Sequence, residues 1–177
     1  MTYRVLHLTK HTAAQPEYFF HGSTKDMLGR RQYFESRGIE YIEFAPVQHT
    51  EGEMMALFDS KKFRNAVTRF DKINAVIFEY PRFPFSMKHI RNHSPKTRIL
   101  FRSHNAEISH QMHNIYAEHT ISELPFLARV KDWKTFNRSF LRMWRHSMWD
   151  WRCARLADGV LAISDWEAEH YWPWLAP

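Results

Sequence analysis

Short runs of consecutive apolar residues constrain the fold of this chain more than any other feature of its sequence. Ala75-Val76-Ile77-Phe78 lies just before Pro81, and Val160-Leu161-Ala162-Ile163 lies between Gly159 and Ser164. A strand that is apolar at every position is covered on both faces, which is typical of a parallel sheet. Because parallel strands are joined by crossover connections, the same runs also predict helices between the strands.

Five strands are predicted, with helical patterns in the segments between them. The strands are Tyr3–Leu8, Glu40–Ala45, Asn74–Glu79, Arg98–Arg102 and Gly159–Ser164. The helices are Ser23–Ser36, which stops at Gly38, then Glu53–Phe70, Phe85–His93 and a long segment from Phe126 onward. This alternation predicts an α/β fold, a three-layer Rossmann-like domain with a mainly parallel sheet in the order 3-2-1-4-5 and helices on both faces. At 177 residues without an internal repeat, we expect one domain over residues 1–177.

Composition narrows the classes to which the chain can belong. Apolar residues make up 44% of the sequence, which is enough for a buried core and argues against disorder. The single cysteine, Cys153, excludes an internal disulfide and indicates a reducing compartment, so a cytoplasmic location is predicted. The first residues lack the apolar run of a signal peptide, and no stretch approaches the ~18 apolar residues of a membrane span. The net charge of +6 favours anionic partners such as acidic lipid or phosphorylated ligands.

A run of polar residues, Arg102-Ser103-His104-Asn105-Ala106-Glu107, follows directly on the fourth predicted strand. Ligands of open α/β sheets bind at the carboxyl ends of the strands, so this run predicts a ligand site. His104 suits the role of a general base, of a hydrogen-bond donor to developing charge, or of a ligand to a sugar hydroxyl. Arg102 could pair with a phosphate or with Glu107. Asn105 and Glu107 could bind substrate or simply cap the helix that follows.

Two other segments are expected at the same edge of the sheet. The loop after the first strand contains His11 and ends at Gly22 and Ser23, where a helix begins and its free N–H groups could cradle a phosphate. An ordinary helix cap explains that segment equally well. Ser164 follows the fifth strand, and its spacing to Glu167 is that of a capping box, which is a sufficient structural explanation. Ser164 is nevertheless kept as a candidate for substrate binding.

Metal and nucleic acid are not predicted as partners. Histidine pairs such as His104 and His110 lack a convincing third ligand, so no metal site is predicted. The basic charge is the one feature that favours nucleic acid, and no recognised nucleic-acid-binding motif accompanies it.

The segment Phe126–Arg155 combines aromatic residues on one helical face with a high density of positive charge. The repeating aromatic residues are Trp133, Phe140, Trp144 and Trp151, and the basic residues are Arg129, Lys131, Lys134, Arg138, Arg142, Arg145, Arg152 and Arg155. One interpretation is a helix packed on the sheet with a solvated basic face. The other is a surface that lies on an anionic membrane or clamps a lipid-linked substrate.

Two motifs together resemble a known family. The run R-x-H-N-x-E at Arg102–Glu107 and the segment A-D-G-V-L-A-I-S-x-x-E at Ala157–Glu167 resemble the amino-terminal half of GT4-like, retaining glycosyltransferases of the GT-B fold. The resemblance implies an acceptor-binding domain of an enzyme that transfers a sugar from a nucleotide-sugar to a polysaccharide or lipid-linked acceptor. It implies that His104 is an active-site histidine beneath the transferred sugar. It also implies that the loop before Ser23 approaches the donor phosphates or the acceptor.

The same resemblance implies a second domain that faces the first across a cleft. This chain stops about where the linker to that domain would begin, so we expect the donor-binding half in cis or in trans outside it. No cofactor is implied, because the nucleotide-sugar is a substrate, and the isolated domain is expected to be inactive. Peripheral attachment to the inner face of the membrane is also expected. The alternative is a non-catalytic α/β binding module that recognises an anionic membrane or protein partner.

Overall fold

The computed structural model describes residues 2–9, 22–44, 61, 72–103 and 126–175, which contain a parallel sheet flanked by helices. The strands are β1 (Arg4–Leu8), β2 (Glu40–Phe44), β3 (Ala75–Phe78), β4 (Arg98–Arg102) and β5 (Gly159–Leu161). The helices are α1 (Gly22–Glu35), α2 (Pro84–His93), α3 (Phe126–Leu156) and α4 (Trp172–Leu175), with a π-helical turn at Glu167–Tyr171 before α4. All five predicted strands are therefore present. The predicted helix over Glu53–Phe70 lies, apart from Lys61, outside the described residues.

The α/β class and the parallel sheet are confirmed, but the predicted strand order 3-2-1-4-5 is wrong. All pairs are parallel and the order is β2-β1-β3-β4-β5, so β3 lies between β1 and β4 instead of at an edge. Burial explains the difference, because β3 is apolar and buried at all four positions and needs neighbours on both sides. In contrast, β2 carries Glu40 and Glu43, and Glu40 pairs with Arg4 at 2.6 Å on the surface. Charged residues suit an edge strand.

The direction of each crossover places helices on both faces of the sheet. The step from β1 to β2 goes one way along the sheet and the steps from β3 to β5 go the other, so right-handed connections put α1 opposite α2 and α3. The larger core lies on the α2 and α3 face and includes Leu6, Leu8, Val76, Phe78, Met87, Ile90, Ile99, Phe101, Cys153, Ala154 and Trp172. The smaller core, on the α1 face, contains Val5, Tyr41, Ala75 and Ile77, with Phe34 packed against them.

Gly38 ends α1 as the sequence predicts. Its φ of 70° lies in the left-handed region, which glycine adopts at little cost. The Gly38 N–H donates to the carbonyl of Glu35 and the Ile39 N–H donates to that of Phe34, both at 3.0 Å. These bonds satisfy carbonyls of the last helical turn and direct the chain into β2.

Asp158 ties the amino-terminal ends of β4 and β5 to two helices. Its Oδ2 accepts hydrogen bonds from the Ile99 N–H at 2.7 Å and from Arg91, and its Oδ1 accepts from Arg98 at 3.2 Å. Arg91 also donates to the carbonyl of Leu156 at 2.9 Å, the last residue of α3. Partial burial raises the pKa of the Asp158 carboxyl, but the Ile99 hydrogen bond and the two arginines outweigh it and hold the pKa below its usual range. The opposite, carboxyl edge of the sheet carries a different set of charged groups.

Candidate functional site at the carboxyl edge of the sheet

The sheet face that α1 covers changes from apolar to polar along its strands. Alternate residues of a strand share a face, so each strand on this side presents a short series of positions. The apolar positions are Val5, Ala75, Ile77 and Leu100; His7 and Glu43 lie level with Ile77 and Leu100, and Glu79 and Arg102 lie one step nearer the carboxyl ends. Polar chemistry is therefore concentrated at the edge where α/β sheets bind ligands.

Glu79 lies at the centre of these groups. Its Oε1 is 2.7 Å from Nη2 of Arg30, on α1, and 2.5 Å from Nε2 of His7, on β1. Its Oε2 is 3.4 Å from Nη1 of Arg102, the last residue of β4. Only 8% of the Glu79 side chain is exposed, and a carboxylate with so little solvent needs such partners to remain charged. We refer to Glu79, His7, Tyr41, Arg30 and Arg102 as the Glu79 cluster.

His7 and Tyr41 form the buried side of the Glu79 cluster. The Tyr41 hydroxyl hydrogen-bonds Nδ1 of His7, whose other ring nitrogen faces Glu79. Burial lowers the pKa of His7 and outweighs the opposing effect of Glu79, so the imidazole is neutral at neutral pH. Burial also raises the pKa of Tyr41, which stays protonated and donates. Because the Tyr41 hydroxyl donates to Nδ1, the proton of the neutral His7 ring lies on Nε2. His7 is fully buried, so its ring contacts Tyr41 and Glu79 instead of solvent.

A cavity of about 600 Å³ opens beside the Glu79 cluster. Its lining comprises Gly29, Arg30 and Tyr33 from α1, Arg102 from β4, and Leu161, Ala162 and Ile163 at the end of β5. Within the described part of the chain, Nε of Arg30 has no hydrogen-bond acceptor. Guanidinium groups bind carboxylates and phosphates through paired N–H donors. Two arginines between aromatic and aliphatic walls therefore make a cavity suited to an anion with an apolar portion.

The predicted site residues fall into three groups. Arg102 lies at the carboxyl end of β4, as predicted, and contacts Glu79 there. Gly22 and Ser23 are the first two residues of α1, so the predicted helix start is confirmed. Four further predicted site residues lie outside the described part of the chain, namely His11, His104, Asn105 and Glu107. Their roles stay predictions.

Ser164 makes the hydrogen bond that its spacing to Glu167 predicts. Its Oγ accepts from the Glu167 N–H at 3.3 Å, as in a helix cap. The Glu167 carboxylate is buried and accepts from Nε1 of Trp172 at 3.4 Å, which links the cap to the larger core. A role for Ser164 in substrate binding stays a prediction.

Sequence reasoning missed His7, Tyr41, Glu79 and Arg30. A signal for two of them exists, because His7 interrupts the apolar strand Val5–Leu8 and Glu79 follows directly on the wholly apolar β3. A polar residue inside such a run is buried and needs a partner. Their joining into one cluster depends on the sheet register, which the sequence pattern does not contain.

Other kinds of site receive no support from the described residues. Over residues 2–9, 22–44, 72–103 and 126–175, no three histidine, cysteine, aspartate or glutamate residues lie together in a way that could hold a metal ion. None of the helices described there combines the length and apolarity needed to cross a bilayer. Comparisons with models of protein families, with curated proteins and with solved structures find no match to this chain.

Proposed function

We propose that this chain binds a phosphate-bearing ligand in the cavity beside the Glu79 cluster. The observation that carries the proposal is the presence of two guanidinium groups, Arg30 and Arg102, in the lining of one cavity at the carboxyl edge. Bidentate contact with phosphate oxygens is a characteristic use of arginine. Tyr33 and Ile163 supply apolar walls for the remainder of the ligand.

We further propose that the ligand is a substrate of glycosyl transfer and that the chain is the acceptor-side domain of a retaining glycosyltransferase. The support is the R-x-H-N-x-E motif, whose first residue, Arg102, lies on the cavity. The parallel α/β sheet is also the kind of scaffold that the resemblance implies. Nucleotide-sugars and lipid-linked acceptors both carry phosphate, which matches the chemistry of two arginines.

The Arg102→Gln variant tests the ligand site. We expect its affinity for inorganic pyrophosphate, measured by calorimetry, to fall by about tenfold or more, since a hydrogen bond to a charged group contributes ~1.5–3 kcal/mol. Arg98→Gln is the matched control, because Arg98 lies on the same face of β4 at its opposite end and is 69% exposed. An equal loss of affinity in both variants, or no binding by the unmodified chain, would contradict the site.

His104→Ala tests the transferase part of the proposal in the enzyme that carries this chain. We expect turnover, measured as nucleoside diphosphate released from a nucleotide-sugar, to fall by on the order of a hundredfold, as for loss of a general base. The thermal midpoint should change little. His93→Ala is the control, because His93 is an exposed histidine at the end of α2. Unchanged turnover in His104→Ala would remove the catalytic assignment while leaving the pyrophosphate result intact.

A further inference from the structure

Helix α3 carries a stripe of exposed aromatic side chains. Trp133, Phe140, Trp144 and Trp151 are each between 39% and 60% exposed. At 100° per residue they lie within about 40° of one another on the helix surface, and they extend over about 27 Å. Leu141, beside the stripe, is also exposed. A continuous apolar surface of this kind on a folded protein marks a site of interaction.

Among the side chains of α3 that the structure describes, positive charge accompanies the stripe and exposed negative charge does not. Of the five exposed arginines on this part of α3, Arg145, Arg152 and Arg155 lie within about 120° of the stripe on one flank, whereas Arg138 and Arg142 lie about 140° and 180° away from it. Between Trp133 and Leu156 the sequence contains one acidic residue, Asp150. That carboxylate is buried and accepts a hydrogen bond from the Tyr171 hydroxyl at 2.7 Å. The surface therefore complements an anionic partner.

The amino-terminal half of α3 extends beyond the sheet. At 1.5 Å per residue its 31 residues span about 46 Å, whereas the five residues of β4 span about 17 Å. Among the side chains of α3 that the structure describes, the buried ones are His146, Asp150, Cys153 and Ala154, all in its last three turns. Because α3 ends at the amino-terminal edge of the sheet, its other half projects past the carboxyl edge. The stripe thus extends beyond the edge that carries the cavity.

We infer that the face formed by the stripe and the flanking Arg145, Arg152 and Arg155 lies on an anionic phospholipid surface. Tryptophan and phenylalanine partition into the boundary between headgroups and acyl chains, and arginine binds the lipid phosphates. Two guanidinium groups already lie over indole rings of this helix, Arg145 over Trp149 at 4.9 Å and Arg155 over Trp151 at 5.2 Å. A straight stripe on a convex helix fits a planar boundary, and the helix lies along the membrane instead of crossing it. This attachment is independent of the ligand in the cavity.

Flotation of the full chain with vesicles tests the aromatic contribution. We expect binding to vesicles of 70% phosphatidylcholine and 30% phosphatidylglycerol, and weak binding to phosphatidylcholine alone. The double variant Phe140→Ser with Trp144→Ser should lower the partition coefficient for these vesicles by roughly tenfold or more. Phe85→Ser with Trp174→Ser is the matched control, because it removes one exposed phenylalanine and one exposed tryptophan from other elements. A thermal midpoint equal to that of the unmodified chain in both double variants shows that the fold is retained.

Charge reversal distinguishes binding through this face from the general attraction of a basic protein to anionic vesicles. Arg145→Glu with Arg152→Glu should lower anionic-vesicle binding about thirtyfold or more, from roughly 1 kcal/mol for each of the two charges. Lys88→Glu with Lys96→Glu makes the same change in net charge at exposed positions elsewhere, and we expect it to have a much smaller effect.

Three results would overturn the inference. The first is an equal loss of vesicle binding in the two charge-reversed pairs. The second is no preference for anionic vesicles. The third is sedimentation that shows a dimer without vesicles, lost in the Phe140→Ser and Trp144→Ser variant, since the stripe would then be an interface between two copies. Pyrophosphate affinity should be unchanged in every one of these variants, which keeps this test separate from that of the cavity.

Discussion

Glu79→Gln is expected to lower the free energy of unfolding by about 3 kcal/mol, because it removes the carboxylate that two arginines contact while keeping the size of the side chain. Loss of one member of a fully buried pair costs ~3–5 kcal/mol, and the partial exposure of Arg30 and Arg102 places the effect at the lower end of that range. His7 is neutral and adds little to the change in charge. Urea denaturation followed by circular dichroism measures the difference.

The same variant is expected to bind pyrophosphate more tightly. The Glu79 carboxylate repels an anion in the neighbouring cavity and occupies N–H donors of both arginines. Its removal therefore weakens the fold and strengthens the site, and added pyrophosphate should raise the thermal midpoint of Glu79→Gln more than that of the unmodified chain. A purely structural cluster would show the loss of stability without this gain.

Glu40→Gln provides the comparison for Glu79→Gln. Glu40 also pairs with an arginine, Arg4 at 2.6 Å, but the Glu40 side chain is 41% exposed. Exposed ion pairs contribute less than about 1 kcal/mol, so we expect a small loss of stability and no change in pyrophosphate affinity. An equal loss of stability in Glu40→Gln and Glu79→Gln would contradict the larger energetic role of the buried ion pairs. An equal change in pyrophosphate affinity would contradict the link between the Glu79 cluster and the cavity.

The elements of the fold could be predicted from the sequence because burial on two faces leaves a simple pattern. The predicted bounds of β4, Arg98–Arg102, agree with the structure, and Gly38 correctly marks the end of α1. Strand order could not be obtained from the same pattern. It depends on which strand needs two neighbours, and the signs were the two glutamates of β2, Glu40 and Glu43, against the uninterrupted apolar run of β3.

The candidate site was only partly predictable for a related reason. Arg102 begins a run of polar residues that is contiguous in the sequence, so it is visible without a structure. Glu79 and Arg30 are 49 residues apart in the sequence. They meet because α1 packs on the sheet beside β3, and Glu79 follows directly on β3. His7 occupies a position that would otherwise be apolar. Such residues acquire meaning when the register of the parallel strands places them side by side.

Phe101→Ala is expected to have the largest effect on stability, a loss of about 4 kcal/mol. Phe101 is fully buried, and its ring meets that of Trp172 edge to face at 5.0 Å between centroids. Truncation removes the apolar contact and leaves a cavity between β4 and α4. The surrounding structure relaxes into this cavity only in part. Chemical denaturation measures the loss. Phe85→Ala is the control, since that ring is exposed and its removal should change the free energy of unfolding by less than about 0.5 kcal/mol.

The variant also separates the two faces of β4. Phe101 faces the larger core, while its neighbour Arg102 faces the cavity, because successive side chains of a strand point to opposite sides. Below its unfolding transition, Phe101→Ala should therefore retain the pyrophosphate affinity of the unmodified chain, in contrast to Arg102→Gln. A loss of stability under about 1.5 kcal/mol would contradict the close packing of α4 on the sheet. A loss of affinity in the folded variant would show instead that the position of Arg102 depends on the packing beneath it, so that core and site are coupled through β4.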